Sequence, residues 1–302
     1  RTAERVQILL GTFRATSFTQ LFDGVAALPL EEYIGKKDAF PVKGWSLSSQ
    51  LHSIPDCQSI IKKAAVTRLS QKYGLSWFPE TGPMVRIQFS IMNDIATIYL
   101  DASGDGLHKR GYRPAHVTAP LSETLAAAMV ILSRYKGRGD FCDPFCGSGT
   151  LAIEAALMAK NRAPGLKRAF AAEDWARSDK SIWKKEREEA VSREYRGDYR
   201  IFASDLDPRA IEIAESNARL AGVEDVIRFE QADALDFDRK TEKVFIITNP
   251  PYGERLMEKQ EAEALYAGFG KAYLASENWE LYLLSSHTEF ERSFGKKADK
   301  KR

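Results

Sequence analysis

Gly139–Leu157 reads GDFCDPFCGSGTLAIEAAL. A short apolar run leads into a glycine-bearing turn, and an alanine- and leucine-rich stretch with helical character follows it. Gly147 and Gly149 let backbone N–H groups approach a ligand closely, and the helix that opens after them turns its positive end toward the same place. The turn lacks the Lys-Ser/Thr ending of a triphosphate-binding loop. Asp143, just before the turn, would repel a pyrophosphate and suits a ligand that carries an ammonium group.

Outward from this stretch the second half of the chain keeps alternating. YRIFASD, PRAIEIAESNARLAG, VIRFEQAD, KVFIITNPP and WELYLLSS read as strand, helix, strand, strand and strand. That alternation predicts an α/β fold: an open, mainly parallel sheet with helices on both faces. TAPLSETLAAAMVILSRY, before it, is expected to be a helix with Leu121, Leu125, Met129 and Leu132 on one face. The first hundred residues have an α+β texture instead. LSSQLHSIPDCQSIIKKAAVTRLSQKYG predicts a helix with Ile60, Ala64, Thr67 and Leu69 on its inner face and Gly74 as its cap. VRIQFSIM and IATIYLD alternate about Asn93-Asp94, as a hairpin does. The Gly-rich, charged ASGDGLHKRGYRP lies between the halves, so the expected domains are 1–104 and 105–302. Residues 161–198 interrupt the second domain with a loop and a charged helix bearing Trp183. That helix is either a solvated face or a strut along a nucleic acid backbone.

Composition narrows the class. The 302 residues are 44% hydrophobic and 28% charged, and the net charge is +2, so any basic surface must be local. Cys57, Cys142 and Cys146 are three in number with no CxxC pair, which predicts a reducing, cytoplasmic setting. The four histidines are scattered, so no metal site is expected. No signal peptide or long apolar segment is seen. The start at Arg1 and the end in KKADKKR read as a fragment at both ends.

Four strand ends converge on one rim. Asp143 closes the first strand of the alternation, and Asp205 the second, where an acid can grip ribose hydroxyls. Asp205 follows Gly149 by far more than the roughly twenty residues usual for such an acid, and the 161–198 insertion accounts for the excess. Asp207 precedes Pro208 and reads as a helix N-cap. Asp233, in QAD after the third strand, can accept from an adenine amino group. The fourth strand ends in TNPPYG, with Asn249, two rigid prolines and Tyr252.

In that order DPFCGSGT, SDLDP, QAD and NPPYGERL resemble the motifs of class I S-adenosylmethionine-dependent amino-methyltransferases. KGWSLSSQLHSIPDCQSIIKKA, GLHKRGYR and APLSETLAAAMV are similar to a narrower group: the THUMP-containing methyltransferases that make N2-methylguanosine in 23S rRNA, often labelled N6-adenine-specific DNA methylases. The resemblance covers essentially the whole chain. It implies a Rossmann-like methyltransferase sheet preceded by an RNA-binding THUMP domain, with RTAERVQILLGTFRATSFTQLFDGV as the tail of a ferredoxin-like segment. A C-terminal strand segment usual in the group is not seen after KKADKKR. It also implies that S-adenosylmethionine is the cofactor. Its methionine end would lie at Asp143 and the backbone of Phe145, Cys146, Gly147, Ser148, Gly149 and Thr150, with Glu123 in the helix beside it. Asp205 and Leu206 would serve the ribose side, Asp233 and Ala234 the adenine, and Asn249 the reacting end.

The reaction follows from NPPY. An exocyclic amine is a poor nucleophile because its lone pair is delocalised into the ring. The Asn249 side-chain oxygen and the Pro250 carbonyl can accept its two hydrogens and favour a tetrahedral nitrogen. Pro250 and Pro251 fix the carbonyl direction, and Tyr252 offers a ring for a flipped base. Covalent catalysis by Cys146 is the wrong chemistry for an amine. The receivers that fit are guanine N2 in 23S or transfer RNA, adenine N6 in DNA, and a protein glutamine amide. A non-catalytic RNA-binding protein that keeps the cofactor fold is the alternative of another class. The N-terminal module favours structured RNA, naked 23S rRNA or a ribosome assembly intermediate, with Lys62, Lys63, Lys109, Arg110 and Arg113 as expected phosphate contacts.

Overall fold

A computed structural model of the chain describes residues 1–114, 121–236, 241, 243–251 and 259–301. These form two compact units. One comprises Ala3–Leu107 and Ala169–Glu186, the other Arg1–Thr2, His108–Arg168 and Arg187–Arg302. The expected break near residue 104 is close to the first crossing point. The second domain is not continuous, however, because residues 169–186 belong with the N-terminal unit.

That unit contains β1 (Gln7–Arg14), α1 (Phe18–Ala26), β2 (Val42–Leu47), α2 (Ile54–Tyr73), β3 (Ile87–Met92) and β4 (Ile95–Asp101). The sheet order is β1-β4-β3-β2, with β2 parallel to β3 and the other pairs antiparallel. β1 is therefore an edge strand of this same sheet. Ile87, Phe89 and Ile91 alternate inward on β3, as do Ala96, Ile98 and Leu100 on β4. Asn93 and Asp94 both take positive φ, 50° and 62°, which suits the tight turn between them. α2 ends at Gly74, left-handed at φ 67°. Its buried stripe is Cys57, Ile61, Ala64, Ala65 and Leu69, one step round from the expected face, and Ile60 and Thr67 are only half-buried. Trp175 explains why the insertion joins this unit. It is 7% exposed, its indole N–H donates to the Met84 carbonyl (3.1 Å), and Tyr33 meets it edge-on at 6.4 Å.

The second unit contains α3 (Glu123–Ser133), β5 (Asp140–Asp143), α4 (Thr150–Ala159), β6 (Arg200–Asp205), α6 (Pro208–Ala221), β7 (Ile227–Gln231), β8 (Val244–Thr248), α7 (Lys259–Leu274), β9 (Trp279–Leu283) and α8 (Phe290–Phe294). The residues of α5 (Lys180–Ser192) divide between the units, and none of them is buried. The sheet is parallel throughout, in the order β7-β6-β5-β8-β9. Its central strands are buried on both faces: every residue of β5 and of β8 is inaccessible, as a helix-covered parallel sheet requires. The chain runs outward from β5 to β7 and returns to β8 on the other side. The crevice between β5 and β8 is therefore the point where strand order reverses, the place where such sheets bind ligands. On α3 the buried face is Ala126, Ala127, Met129, Val130 and Ser133, while Leu125 and Leu132 are each 42% exposed. Of the expected stripe Met129 is buried and Leu121 packs against the core, while Leu125 and Leu132 face outward.

Candidate functional site

The carboxyl ends of β7, β6, β5 and β8 lie side by side, so Asp233, Asp205, Asp143 and Asn249 follow one another along one edge. The turn after β5 is held by backbone and side chains alike. Cys146 N–H donates to the Ser204 carbonyl (2.9 Å), Gly147 N–H to Asp205 Oδ2 (2.8 Å), and Asn217 Nδ2 to the Ser148 carbonyl (3.0 Å). Gly147 and Gly149 have φ of 51° and 79°, which side chains resist. A Cβ on Gly149 would also stand 2.9 Å from Ala214, so glycine allows α4 and α6 to pack closely. The N-cap of α4, Gly149, offers no side-chain acceptor to the first N–H groups of the helix, the kind of terminus that suits an anionic group.

Asp205 accepts from Gly147 N–H through one oxygen and from Asp207 N–H (3.0 Å) through the other. Two carboxylate oxygens offer about four acceptor positions, so hydroxyl donors can still be received. Asp207 accepts from Arg209 N–H at 2.9 Å and caps α6, with Pro208 as its first residue. Leu206 is 67% exposed at the rim. Asp233 is half-buried and accepts from Leu235 N–H (2.9 Å), and Ala234 behind it is buried.

The centre of the site is Asp143, which is inaccessible. Thr248 Oγ1 donates to its Oδ1 at 2.7 Å, and Phe145 N–H reaches the same oxygen at 3.3 Å. Burial pushes its carboxyl up to about 7, those two donors pull it back, and the Asp205 charge adds to the rise. Next along the chain, the Asn249 side-chain oxygen is buried and has no hydrogen-bond partner among the described residues. Such a group normally costs free energy unless something binds it. Tyr266 on α7 donates its hydroxyl to the Pro251 carbonyl (2.6 Å). Tyr252 lies outside the described residues. Cys146 is buried beside Asp143 and Asp205; burial first, then those acids, push its thiol well up, so it is no ready nucleophile.

Two expected phosphate contacts are corrected. Arg110 is 4% exposed and donates to Glu154 (3.3 Å), which also receives the Tyr112 hydroxyl (3.2 Å). Arg113 donates to the Leu121 carbonyl (2.7 Å), Thr150 Oγ1 (3.0 Å) and Glu123 (2.9 Å). Both are engaged within the fold: Arg110 is buried and Arg113 half-buried, each against a carboxylate, and neither is offered to a solvent-borne phosphate. Arg113 thereby joins Glu123 to the first residue of α4. In the N-terminal unit Lys62 donates to Glu80 (2.6 Å) and to the Phe40 carbonyl (3.1 Å), while Lys63 is exposed. The two line an open groove of about 510 Å³ with Val42, Gln58, Ser59 and Val66. Lys109 is exposed. Thr248, Tyr266 and Asn217 went unread in the sequence. Only Thr248 carried a signal there, a polar residue closing the apolar run VFII.

The positive-φ glycine turn, the buried acid beside it and the Asn249 oxygen, unsatisfied among the described residues, together fit a bound nucleoside with an amino-acid tail. Comparison with known proteins agrees with this geometry. Residues 110–302 match the family model described as RMKL-like, methyltransferase domain, and residues 15–101 match the THUMP domain. A Bacillus subtilis (strain 168) protein named "Putative RNA methyltransferase YpsC" is 45% identical over 305 residues, which cover all of this chain and 79% of that one. The "Ribosomal RNA large subunit methyltransferase K/L" of Shewanella baltica (strain OS185) is 34% identical over 311 residues, covering 99% of this chain but only 43% of the relative. Among solved structures, one from Listeria monocytogenes str. 4b F2365, titled a predicted N6-adenine-specific DNA methylase, has a TM-score of 0.95 at 45% identity, with 100% of this chain and 80% of that one covered. SMU.472, crystallised with SAH, has a TM-score of 0.90 at 39% identity, with 98% and 79% covered.

Proposed function

Since the chain belongs to the RMKL-like family of S-adenosylmethionine-dependent methyltransferases and carries a THUMP domain, we propose that it methylates the exocyclic N2 amine of a guanine in 23S ribosomal RNA, in the cytoplasm. The observation that carries this reading is the buried Asn249 oxygen at the β5–β8 crevice, which has no partner among the described residues. Bound there, S-adenosylmethionine supplies an electrophilic methyl group on a sulfonium. Asp143 would take its ammonium group, the Phe145–Thr150 backbone its amino-acid tail, Asp205 its ribose hydroxyls, and Asp233 its adenine amine beside Leu206.

Asn249 accepts one hydrogen of the target amine. Tyr266 occupies the Pro251 carbonyl, so the Pro250 carbonyl is the second acceptor in this reading. Two acceptors held on a proline-stiffened turn draw the nitrogen toward a tetrahedral shape and aim its lone pair at the methyl group. The methylated nitrogen, briefly cationic, then returns a proton to solvent without a dedicated base. Tyr252 would stack on the extruded base. An NPP turn fits any exocyclic amine, and the choice of RNA rests on the THUMP domain and on the ribosomal RNA activity named for the Shewanella relative.

The test is transfer of labelled methyl groups into undermethylated ribosomal RNA, with duplex DNA and a release factor as controls. The product should be N2-methylguanosine. Asn249→Ala should lower single-turnover transfer on the order of a hundredfold while donor affinity and melting temperature hold. Label in DNA or in the protein control, with none in rRNA, would overturn the reading.

A further inference from the structure

We infer that Thr248 is a positioning residue, whose hydroxyl holds the Asp143 carboxylate in the orientation that receives the donor's ammonium group. The inference rests on the cofactor role given to Asp143 above. β8 reads VFIIT, and its first four residues are apolar and buried among the helices. A fifth buried position there would ordinarily take valine, which has nearly the shape of threonine. Thr248 is fully inaccessible, yet it carries a hydroxyl, and a buried hydroxyl costs free energy unless it is hydrogen-bonded. Its one proton goes to Asp143 Oδ1 at 2.7 Å. Phe145 N–H shares that oxygen. With Oδ1 engaged from β8 and from the turn, Oδ2 is the oxygen turned to a ligand. The hydroxyl thus sets the rotation of a carboxylate that would otherwise spin about its last bond. The strand that holds it is itself secured, since the Thr248 carbonyl accepts from Leu284 N–H (3.1 Å).

Among the described residues, the ionisable groups facing Asp143 are the Asp205 carboxyl from the end of β6 and the Cys146 thiol from the turn, and none of them is basic. Burial and the Asp205 charge disfavour its ionisation, the neutral Cys146 thiol adds no charge, and the Thr248 hydroxyl and Phe145 N–H are the groups that favour it. Loss of the hydroxyl therefore has a direction: Asp143 ionises at higher pH.

The experiment measures S-adenosylmethionine affinity by calorimetric titration from pH 5.5 to 8.5 for wild type, Thr248→Val and Thr248→Ser. The pH dependence of apo-protein melting is followed in parallel. In Thr248→Val the pH at which affinity rises should move up by about one unit, so that binding near pH 7 weakens roughly fivefold, approaching tenfold at the acid end of the range. Thr248→Ser should return the profile to that of wild type. Methylthioadenosine, which lacks the ammonium group, should bind all three proteins alike. Superimposed profiles for the valine variant and wild type would overturn the inference, as would an equal loss of methylthioadenosine affinity. The proposed reaction fails separately: a wild type that binds the donor with this pH profile but methylates no RNA would sink that reaction and leave the role of Thr248 intact.

Discussion

Asp143→Asn tests the centre of the site through stability instead of activity. The folded protein raises the Asp143 carboxyl from 3.8 to about 7, chiefly through burial. Between those values the folded chain keeps a proton that the unfolded chain has lost, so stability falls as pH rises through this window. Below 3.8 nothing is lost; above about 7 the loss is complete. At roughly 1.4 kcal/mol per pH unit, the interval amounts to ~4 kcal/mol at alkaline pH. Asparagine keeps an oxygen for the Thr248 hydroxyl and the Phe145 N–H but has no charge to bury. The variant should therefore match wild type near pH 4 and gain on it steadily, melting on the order of 10 °C higher by pH 8, at about 2–4 °C per kcal/mol for a unit of this size. Apo melting curves at half-unit pH steps provide the assay. S-adenosylmethionine should raise the melting temperature of wild type at pH 8 and do so far less for the variant, which has lost its ammonium partner. Parallel pH profiles, or a variant less stable than wild type at pH 8, would refute the reasoning.

Asp205→Ala should weaken donor binding roughly tenfold to a hundredfold, the value of about 1.5–3 kcal/mol in charge-assisted hydrogen bonds. Asp207→Ala should cost about 1 kcal/mol of stability and little affinity, because its side chain caps α6; titration and denaturant unfolding separate the two. Trp175→Ala should destabilise the N-terminal unit by about 3–5 kcal/mol, the usual loss for a buried large aromatic, seen as reduced amide-exchange protection in β3 and near Met84. Lys63→Ala should flatten the salt dependence of rRNA binding by about one counterion. Lys62→Ala should act mainly on stability, since Lys62 already pairs with Glu80.

What was legible in the sequence was local. Alternation along the second half gave the parallel sheet, and positive-φ demands at Gly74, Gly149 and Asn93-Asp94 placed a cap, a turn and a hairpin. Asp207-Pro208 announced its own helix start. The errors share one cause, which is that exposure is decided by partners distant in sequence. Leucines at helical spacing on α3 looked like a core stripe, but alanines allow the closer approach, and the leucines face outward. Arg110 and Arg113 sit in a charged, Gly-rich stretch that reads as surface; their carboxylate partners, Glu154 and Glu123, are supplied by α4 and α3. Trp175 sits in a segment that reads as loop, and it becomes core only because Tyr33 and Met84 meet it.

The same contrast separates the two layers of the candidate site. Groups that would touch the donor or the amine lie at strand ends, where the chain must turn and where glycine, proline and short polar residues mark the turn in the sequence itself. Groups that hold those in place need no turn. Thr248 completes an apolar strand, Asn217 lies within α6, and Tyr266 is one aromatic among several on α7. Each hydrogen-bonds a residue at a strand end or in the turn after it: Thr248 to Asp143, Asn217 to Ser148, Tyr266 to Pro251. Sequence motifs therefore expose the reacting shell of such a sheet, whereas the shell that fixes its geometry emerges only once the strands are set side by side. A survey that mutates the motif residues alone would probe the candidate reacting groups and miss the residues that hold them in place.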